Sequence, residues 1–225
     1  MLAIVTFLWR PIGREAIYGA EHVNMLKRML DEFAPPHRLV CVTDDATGID
    51  PSVYIVDIEP RLVEAGRRYP KLMFYRRDAA ELFGASRIAM MDLDCIVTGR
   101  LDRLFARQEQ IVAWDDPNWG STPYNSSLVL MDAGAAPQVY DRFDAKKTEA
   151  SVIKSRFMGS DQAWLAIVMG RELPKFTPRG DGVLSYQSHC RHPDSVKKAS
   201  IVFFAGNPKP WDSSIEEPWV KQWWG

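Results

Sequence analysis

Met90-Met91-Asp92-Leu93-Asp94-Cys95-Ile96-Val97 decides the reading of this chain. Apolar residues run into two acids spaced two apart, and apolar residues follow. A short apolar run with few charges is the pattern of a strand buried on both faces. Carboxylates at the end of such a strand are costly to desolvate unless a cation or fixed donors meet them. Oxygen ligands of this kind suit Mg²⁺ or Mn²⁺, ions that also bind phosphate oxygens. The stretch therefore predicts a metal–diphosphate site at a strand end.

Working outward, residues 2–8 (Leu2 to Leu8) read as a first core strand. Val23, Leu26, Met29, Leu30 and Phe33 fall at helical spacing within 19–33, and Pro35-Pro36 stops that helix. Leu39–Thr43 and Val53–Ile58 read as strands, Leu72–Phe83 as a helix, and Ile88–Asp92 as the strand that carries the acids. The order β-α-β-β-α-β predicts an α/β fold, a mostly parallel sheet with helices on its faces. Ligands of such sheets sit beyond the carboxyl ends of the strands. Thr6, Thr43-Asp44 and Asp92 to Asp94 all fall at such ends, which predicts one shared crevice. In the second half, Ile111–Trp114, Ser127–Met131, Val183–Tyr186 and Ile201–Phe204 read as strands. Ser160–Met169 reads as a helix with Ser160 as its N-cap.

Composition sets the class. The chain has 225 residues, 46% hydrophobic and 25% charged, as in an ordinary globular domain. Its formal net charge of -1 gives no basic field for nucleic acid. Cys41, Cys95 and Cys190 are odd in number and far apart, which fits reduced thiols and a cytoplasmic setting, peripheral to a membrane at most. The apolar Met1 to Leu8 is too short, and lacks the basic lead, for a signal peptide. No run approaches the roughly 20 apolar residues of a transmembrane segment. One domain over 1–225 is expected, with a tryptophan-rich tail at about 212–225 containing Trp219, Trp223 and Trp224. That tail either folds back on the domain or forms an acceptor, partner or membrane-interface surface.

Several blocks together resemble glycosyltransferase family 8, the glycogenin and galactosyltransferase-like group with a GT-A-type, Rossmann-like mixed sheet. Asp92-Leu93-Asp94 is similar to its DxD motif. Tyr124-Asn125-Ser126-Ser127, followed by Val129 to Asp132, resembles its FNSG block. Gly159-Ser160-Asp161-Gln162 resembles its SDQ block, and Gly206-Asn207-Pro208-Lys209-Pro210-Trp211 its G-x-x-K-P-W block. The four come in the family's order over roughly residues 1–211.

The resemblance implies retaining transfer of a sugar from a nucleotide-diphospho-sugar, a UDP-sugar in most relatives, to a saccharide, lipid-linked or protein acceptor. It implies Asp92 and Asp94 as ligands of Mn²⁺ or Mg²⁺, with Asp92 also near the donor ribose. Lys209 would contact the diphosphate, and Lys71 would touch donor oxygens. Thr6 and Tyr18 would lie in the nucleoside region. Asn125, Asp161 and Gln162 would surround the sugar, with Gln162 near the anomeric carbon. The chain departs from the family at one point: Phe203 and Ala205 stand where a metal-binding histidine is expected. Either two carboxylates with diphosphate and water suffice, or His189 or His192 supplies the third ligand, or the metal site is weak.

The chemistry would use these groups in a definite way. Cations fixed on the diphosphate stabilise the charge that develops as it leaves. Carboxylate and amide oxygens of Asp161 and Gln162 would steady an oxocarbenium-like sugar. Plainer readings stand beside these. Asp161 and Gln162 open a helix, where an acid is favoured by the dipole. Asn125 suits a turn, and Asp115-Asp116 before Pro117 serve a turn as readily as a sugar. His189-Cys190-Arg191-His192 lacks the paired spacing of zinc sites. Two rival functions are a non-catalytic nucleotide-sugar binder and a DxD-type phosphohydrolase with Asp92 as nucleophile. The second normally carries its acids on the first strand, and here they are mid-chain.

Overall fold

The strand Leu2–Leu8 (β1) sends Leu2, Ile4 and Leu8 into one hydrophobic cluster and Ala3, Val5 and Phe7 into another. Successive side chains of a strand point to opposite faces, so both faces of this strand are covered. The computed structural model describes residues 1–13, 15–115 and 122–225. After β1 come helix α1 (Ala20–Phe33) and strands β2 (His37–Thr43), β3 (Tyr54–Asp57), β4 (Arg87–Met91), β5 (Cys95–Val97), β6 (Ile111–Asp115) and β7 (Tyr124–Asp132). Helices α2 (Ala145–Ser155) and α3 (Asp161–Met169) follow, then β8 (Lys175–Phe176), β9 (Val183–Ser185), β10 (Ile201–Phe203) and the C-terminal helix α4 (Pro218–Trp224).

Among the described residues, seven strands form one sheet in the order β3-β2-β1-β4-β7-β6-β8. The strands β3, β2, β1 and β4 run parallel, and β7 lies antiparallel between β4 and β6. The same two-sided alternation recurs in β2, β4 and β7: Leu39/Cys41 against Val40/Val42, Ala89/Met91 against Ile88/Met90, and Leu128/Leu130 against Val129/Met131. Fully burying an aliphatic side chain of this size contributes about 2 kcal/mol. Helix α1 covers one face with Val23, Leu26, Met29 and Leu30. The expected α/β class, mixed sheet and flanking helices are the ones observed.

A smaller three-stranded sheet has the order β5-β10-β9. It explains the deciding stretch. The apolar run on either side of the acids is two strands in two sheets, β4 in the large one and β5 in the small one. Asp92-Leu93-Asp94 is the link between them. Backbone bonds hold the link from both sides: Asp92 N–H donates to Ser127 O at 3.0 Å, and Phe204 N–H donates to Asp94 O at 2.8 Å.

Other expectations need correction. The helix read over Leu72–Phe83 is instead a 3₁₀ turn at Tyr69–Tyr75 and a short helix at Ala79–Phe83. Every residue of Tyr69–Tyr75 is buried, so the segment has no polar face to align with helical periodicity. Arg76, in extended backbone, breaks the run and clasps Asp78 with two bonds of 2.8 and 2.6 Å. The strand read from Ser127 begins at Tyr124, because Asn125, Ser126 and Ser127 are buried strand residues. Ser160 sits at the N-cap of α3 but makes no capping bond with its side chain. The tail takes the fold-back reading: Trp219, Trp223 and Trp224 pack against the core on the α1 side.

Candidate active site

A cleft of about 190 Å³ opens at the carboxyl ends of β1 and β4. Phe7, Leu8 and Trp9 line it from β1, and Asp92, Leu93 and Asp94 from the link after β4. Tyr18, Arg67, Arg68 and Lys71 complete its working walls. This is where a parallel sheet places ligands. The end of β2 does not reach the cleft lining. There Asp44 accepts the Arg10 N–H at 3.2 Å, and Asp45 pairs with the Arg10 side chain.

Each acid is met by a lysine. The Lys71 ammonium lies 2.5 Å from Asp92 Oδ1. The other oxygen, Oδ2, accepts the Ser127 hydroxyl at 2.8 Å. Lys71 is only 4% exposed and lies 3.9 Å from Asp161 Oδ2, a carboxylate oxygen that has no hydrogen-bond partner among the described residues. The Lys209 ammonium pairs with Asp94 Oδ2 and also donates to Phe204 O at 2.9 Å. The same Asp94 oxygen accepts the Tyr18 hydroxyl at 3.1 Å. Burial, and next the charges of Asp94 and Asp92, push the Tyr18 phenol well above its ordinary range, so it stays a donor. Burial together with the same two charges raises the Cys95 thiol, which is inert in this setting.

Of the residues expected from sequence, Asp92, Asp94, Lys71, Lys209, Tyr18 and Asp161 come together here. Asn125 stands one step behind: its Oδ1 accepts the Ser127 N–H at 2.9 Å, and Ser127 in turn bonds Asp92. Gln162 is held by bonds from its amide to Met158 O at 3.2 Å and toward Thr122 Oγ1 at 3.5 Å. Gly159 makes room for it. Its φ is +84°, and a Cβ there would lie 2.7 Å from Gln162 Cγ. Thr6 is fully buried with its hydroxyl unpaired among the described residues, and its neighbours Phe7, Leu8 and Trp9, at the end of β1, line the cleft. Asp115 is tied to Lys175 at 2.7 Å, and Asp116 lies outside the described residues.

Sequence reasoning missed Arg68 and the role of Ser127. Arg68 lines the cleft, and its guanidinium makes no hydrogen bond or ion pair among the described residues; its backbone N–H donates to Ser160 Oγ at 3.2 Å. The signal was present as three cations within Arg67-Arg68-Tyr69-Pro70-Lys71. Arg67, at φ 55°, pairs with Glu149 on α2, and Tyr69 donates to the same carboxylate at 3.0 Å.

The donor set was tested for Mn²⁺ or Mg²⁺. Both oxygens of Asp92 are already bonded, and one oxygen of Asp94 carries two donors. Phe203, at the place expected for histidine, is fully buried with its ring 4.8 Å from Trp114. His189 Nδ1 accepts the Ser185 N–H at 2.9 Å. Among the described residues, no three His, Cys, Asp or Glu side chains are grouped to hold a metal. As arranged, the set does not fit a divalent ion.

No protein-family model matches the chain, and no curated protein matches it. Solved structures do. An active-site mutant of LgtC is similar with TM-score 0.66 and 12% identity, covering 98% of this chain and 93% of that one. Galactosyltransferase LgtC in complex with donor and acceptor sugar analogues has TM-score 0.66 and 14% identity over the same shares, 98% and 93%. The glycosyltransferase GlyE of Streptococcus pneumoniae TIGR4 has TM-score 0.66 and 13% identity, covering 100% of this chain and 60% of that one. Likeness at such low identity is a likeness of fold, and the fold of this chain is the GT-A-type fold of these glycosyltransferases.

Proposed function

We propose that this chain is a glycosyltransferase that moves a sugar from a nucleotide-diphospho-sugar, with UDP as the favoured nucleotide, to a saccharide, lipid-linked or protein acceptor. One observation carries the reading. Asp92 and Asp94, each neutralised by a lysine, stand at the mouth of a cleft at the strand ends of a GT-A-type fold. Paired charges at a ligand crevice are a site arrangement, since an isolated structural pair could be replaced by apolar residues at little cost.

In the proposed step, the anomeric carbon releases the diphosphate oxygen, which keeps the bonding electron pair. The acceptor oxygen bonds to the same carbon on the same face, and its proton passes to the departing diphosphate. This retaining route needs no enzyme nucleophile. It suits Gln162, whose amide is a poor nucleophile, and Asp161, whose unbonded Oδ2 lies in the dry interior beside Lys71. LgtC is also known as a glutamine-to-glutamate active-site mutant, which supports Gln162 as the residue to test near the reacting carbon. Cations at the diphosphate stabilise the leaving charge in a preorganised way. Because the donor set does not fit a divalent ion, no step passes through one. A phosphohydrolase would need Asp92 as a free nucleophile, and both of its oxygens are engaged.

The test is a thermal-shift and hydrolysis panel of UDP-, GDP- and CMP-sugars. Stabilisation by one nucleotide class with slow sugar release is expected, and Asp94→Asn should abolish the release while keeping the fold. Stabilisation without release, even with an acceptor panel, would make the chain a nucleotide-sugar binder. No stabilisation by any donor would overturn the proposal.

A further inference from the structure

Resting on the reading of the cleft as a nucleotide-sugar site, we propose that the donor's diphosphate is met by the fixed cations Lys209, Lys71 and Arg68, and that a divalent ion is not needed to hold it. A metal between Asp92 and Asp94 would have to share both carboxylates with ammonium groups already paired to them. Asp92 gives Oδ1 to Lys71 and Oδ2 to Ser127, while Asp94 Oδ2 serves Lys209 and Tyr18 together. An incoming divalent ion would have to displace Lys209 or share the Asp94 carboxylate with its positive charge. Displacement is opposed by the second bond of Lys209, to Phe204 O at 2.9 Å.

The small sheet offers no ligand in compensation. Phe203 and Phe204 are both fully buried, Phe203 against Trp114 and Phe204 stacked on Tyr186 with centroids 4.4 Å apart. Of the two places where a third ligand is expected, Ala205 is exposed but carries no ligand atom, and Phe203 belongs to the core. A coordinating side chain could not be presented there without opening the packing of β10.

The lysines retain capacity for an anion. An ammonium has three N–H donors. Lys209 spends two among the described residues, on Asp94 and on Phe204 O, and keeps one. Arg68 lines the cleft with its guanidinium unspent, and a guanidinium matches phosphate oxygens as a two-pronged donor. Lys71 supplies a third positive charge from the floor. Against these stand Asp92 and Asp94, with Asp161 behind Lys71 and Glu15 on the far wall. The acids therefore serve to aim the ammonium groups, and the ammonium groups serve the diphosphate.

Calorimetric titration of the whole chain with UDP, GDP and CDP, each in EDTA and in Mn²⁺, tests this. At least one diphosphate should bind in EDTA as tightly as in Mn²⁺. Lys209→Met should weaken that binding about tenfold or more, the worth of one charge-assisted hydrogen bond. Lys209→Arg should keep most of it, and circular dichroism reports whether either variant is folded. Independently of any variant, the paramagnetic resonance signal of free Mn²⁺ in saturating UDP should be unchanged when protein is added. Binding that requires Mn²⁺, or loss of the free-ion signal, would overturn the inference and leave the nucleotide-sugar reading standing. Absence of binding in both buffers, for the diphosphates and for their sugars, would overturn both.

Discussion

Asp92 and Asp94 lie two residues apart, yet they are neutralised by lysines from two distant segments of the chain. Asp92 belongs to the large sheet's end and is met from below by Lys71, on the buried turn Tyr69–Tyr75, and by Ser127 of the adjacent strand. Asp94 belongs to the small sheet's start and is met by Lys209, which arrives from 115 residues further along the chain. The two lysines differ in exposure: Lys71 is 5% exposed at its side chain against 17% for Lys209, while the acids run the other way, Asp92 at 20% and Asp94 at 10%. A buried ammonium is costly to strip of its partners, whereas the more exposed Lys209 ammonium can exchange partners. The comparison assigns Lys71 mainly to holding the floor and Lys209 mainly to handling the ligand.

Lys71→Met should show the largest effect on stability. It leaves Asp92 with one neutral donor, the Ser127 hydroxyl, and the buried Asp161 with one, the Ser160 hydroxyl, a loss of about 3 kcal/mol for a broken buried pair. For a domain of this size that lowers the melting temperature by roughly 6–12 °C. If urea denaturation put the loss below that of Lys209→Met, the assignment of the two pairs would be reversed.

Lys209→Met should cost about 1–2 kcal/mol, because Asp94 keeps the Tyr18 hydroxyl as a donor on the same oxygen. Its larger effect should appear in ligand binding, so the two substitutions separate in opposite orders in denaturation and in titration. Ser127→Ala removes one hydroxyl bond to Asp92 and should cost about 1 kcal/mol. It should leave ligand affinity nearly unchanged, since Lys71 still fixes the carboxylate.

The smallest effect concerns the shell behind Asp94. His22 sits inside an aromatic cluster with Tyr18, Trp211 and Trp224, and its Nδ1 accepts the Gly19 N–H at 2.9 Å to close the start of α1. Burial holds its imidazole below the ordinary 6.5. On acidification the unfolded chain therefore takes up the proton first. The contribution of His22 is full above pH 6.5 and falls as the pH drops from 6.5 toward the lowered native value. His22→Asn should flatten that part of the stability-against-pH curve by a fraction of a kcal/mol to about 1 kcal/mol. An unchanged slope would mean that the cluster does not couple to protonation.

The legibility of the chain follows the same division. Strands β1, β2 and β4 are readable as short continuous apolar runs because both sheet faces are covered, and helix α1 because the burial of its one face repeats at helical spacing. The segment Tyr69–Tyr75 was misread because it is buried all round, and periodicity has nothing to report there. Strands β5 and β8 are three and two residues long, too short for a pattern. Helix α2 escaped notice because it buries only Thr148 and Val152. At the site, the acids and Lys209 were visible as motif residues. Arg68 was not, and Ser127 stood in its block without a role, since a surface arginine and a strand serine acquire meaning only beside the groups they meet.

The sequence by itself determined where the sheet strands end and that two acids stand at one such end, because side-chain alternation and desolvation cost are local properties. Only the tertiary structure decided which charge answers each acid. Pairing of Asp94 with Lys209 needs the small sheet to close across 115 residues, and no local spacing encodes that distance. The fold also decided that Phe203 is core and not a ligand, for burial against Trp114 depends on the neighbouring strand and not on the residue's own surroundings in the chain.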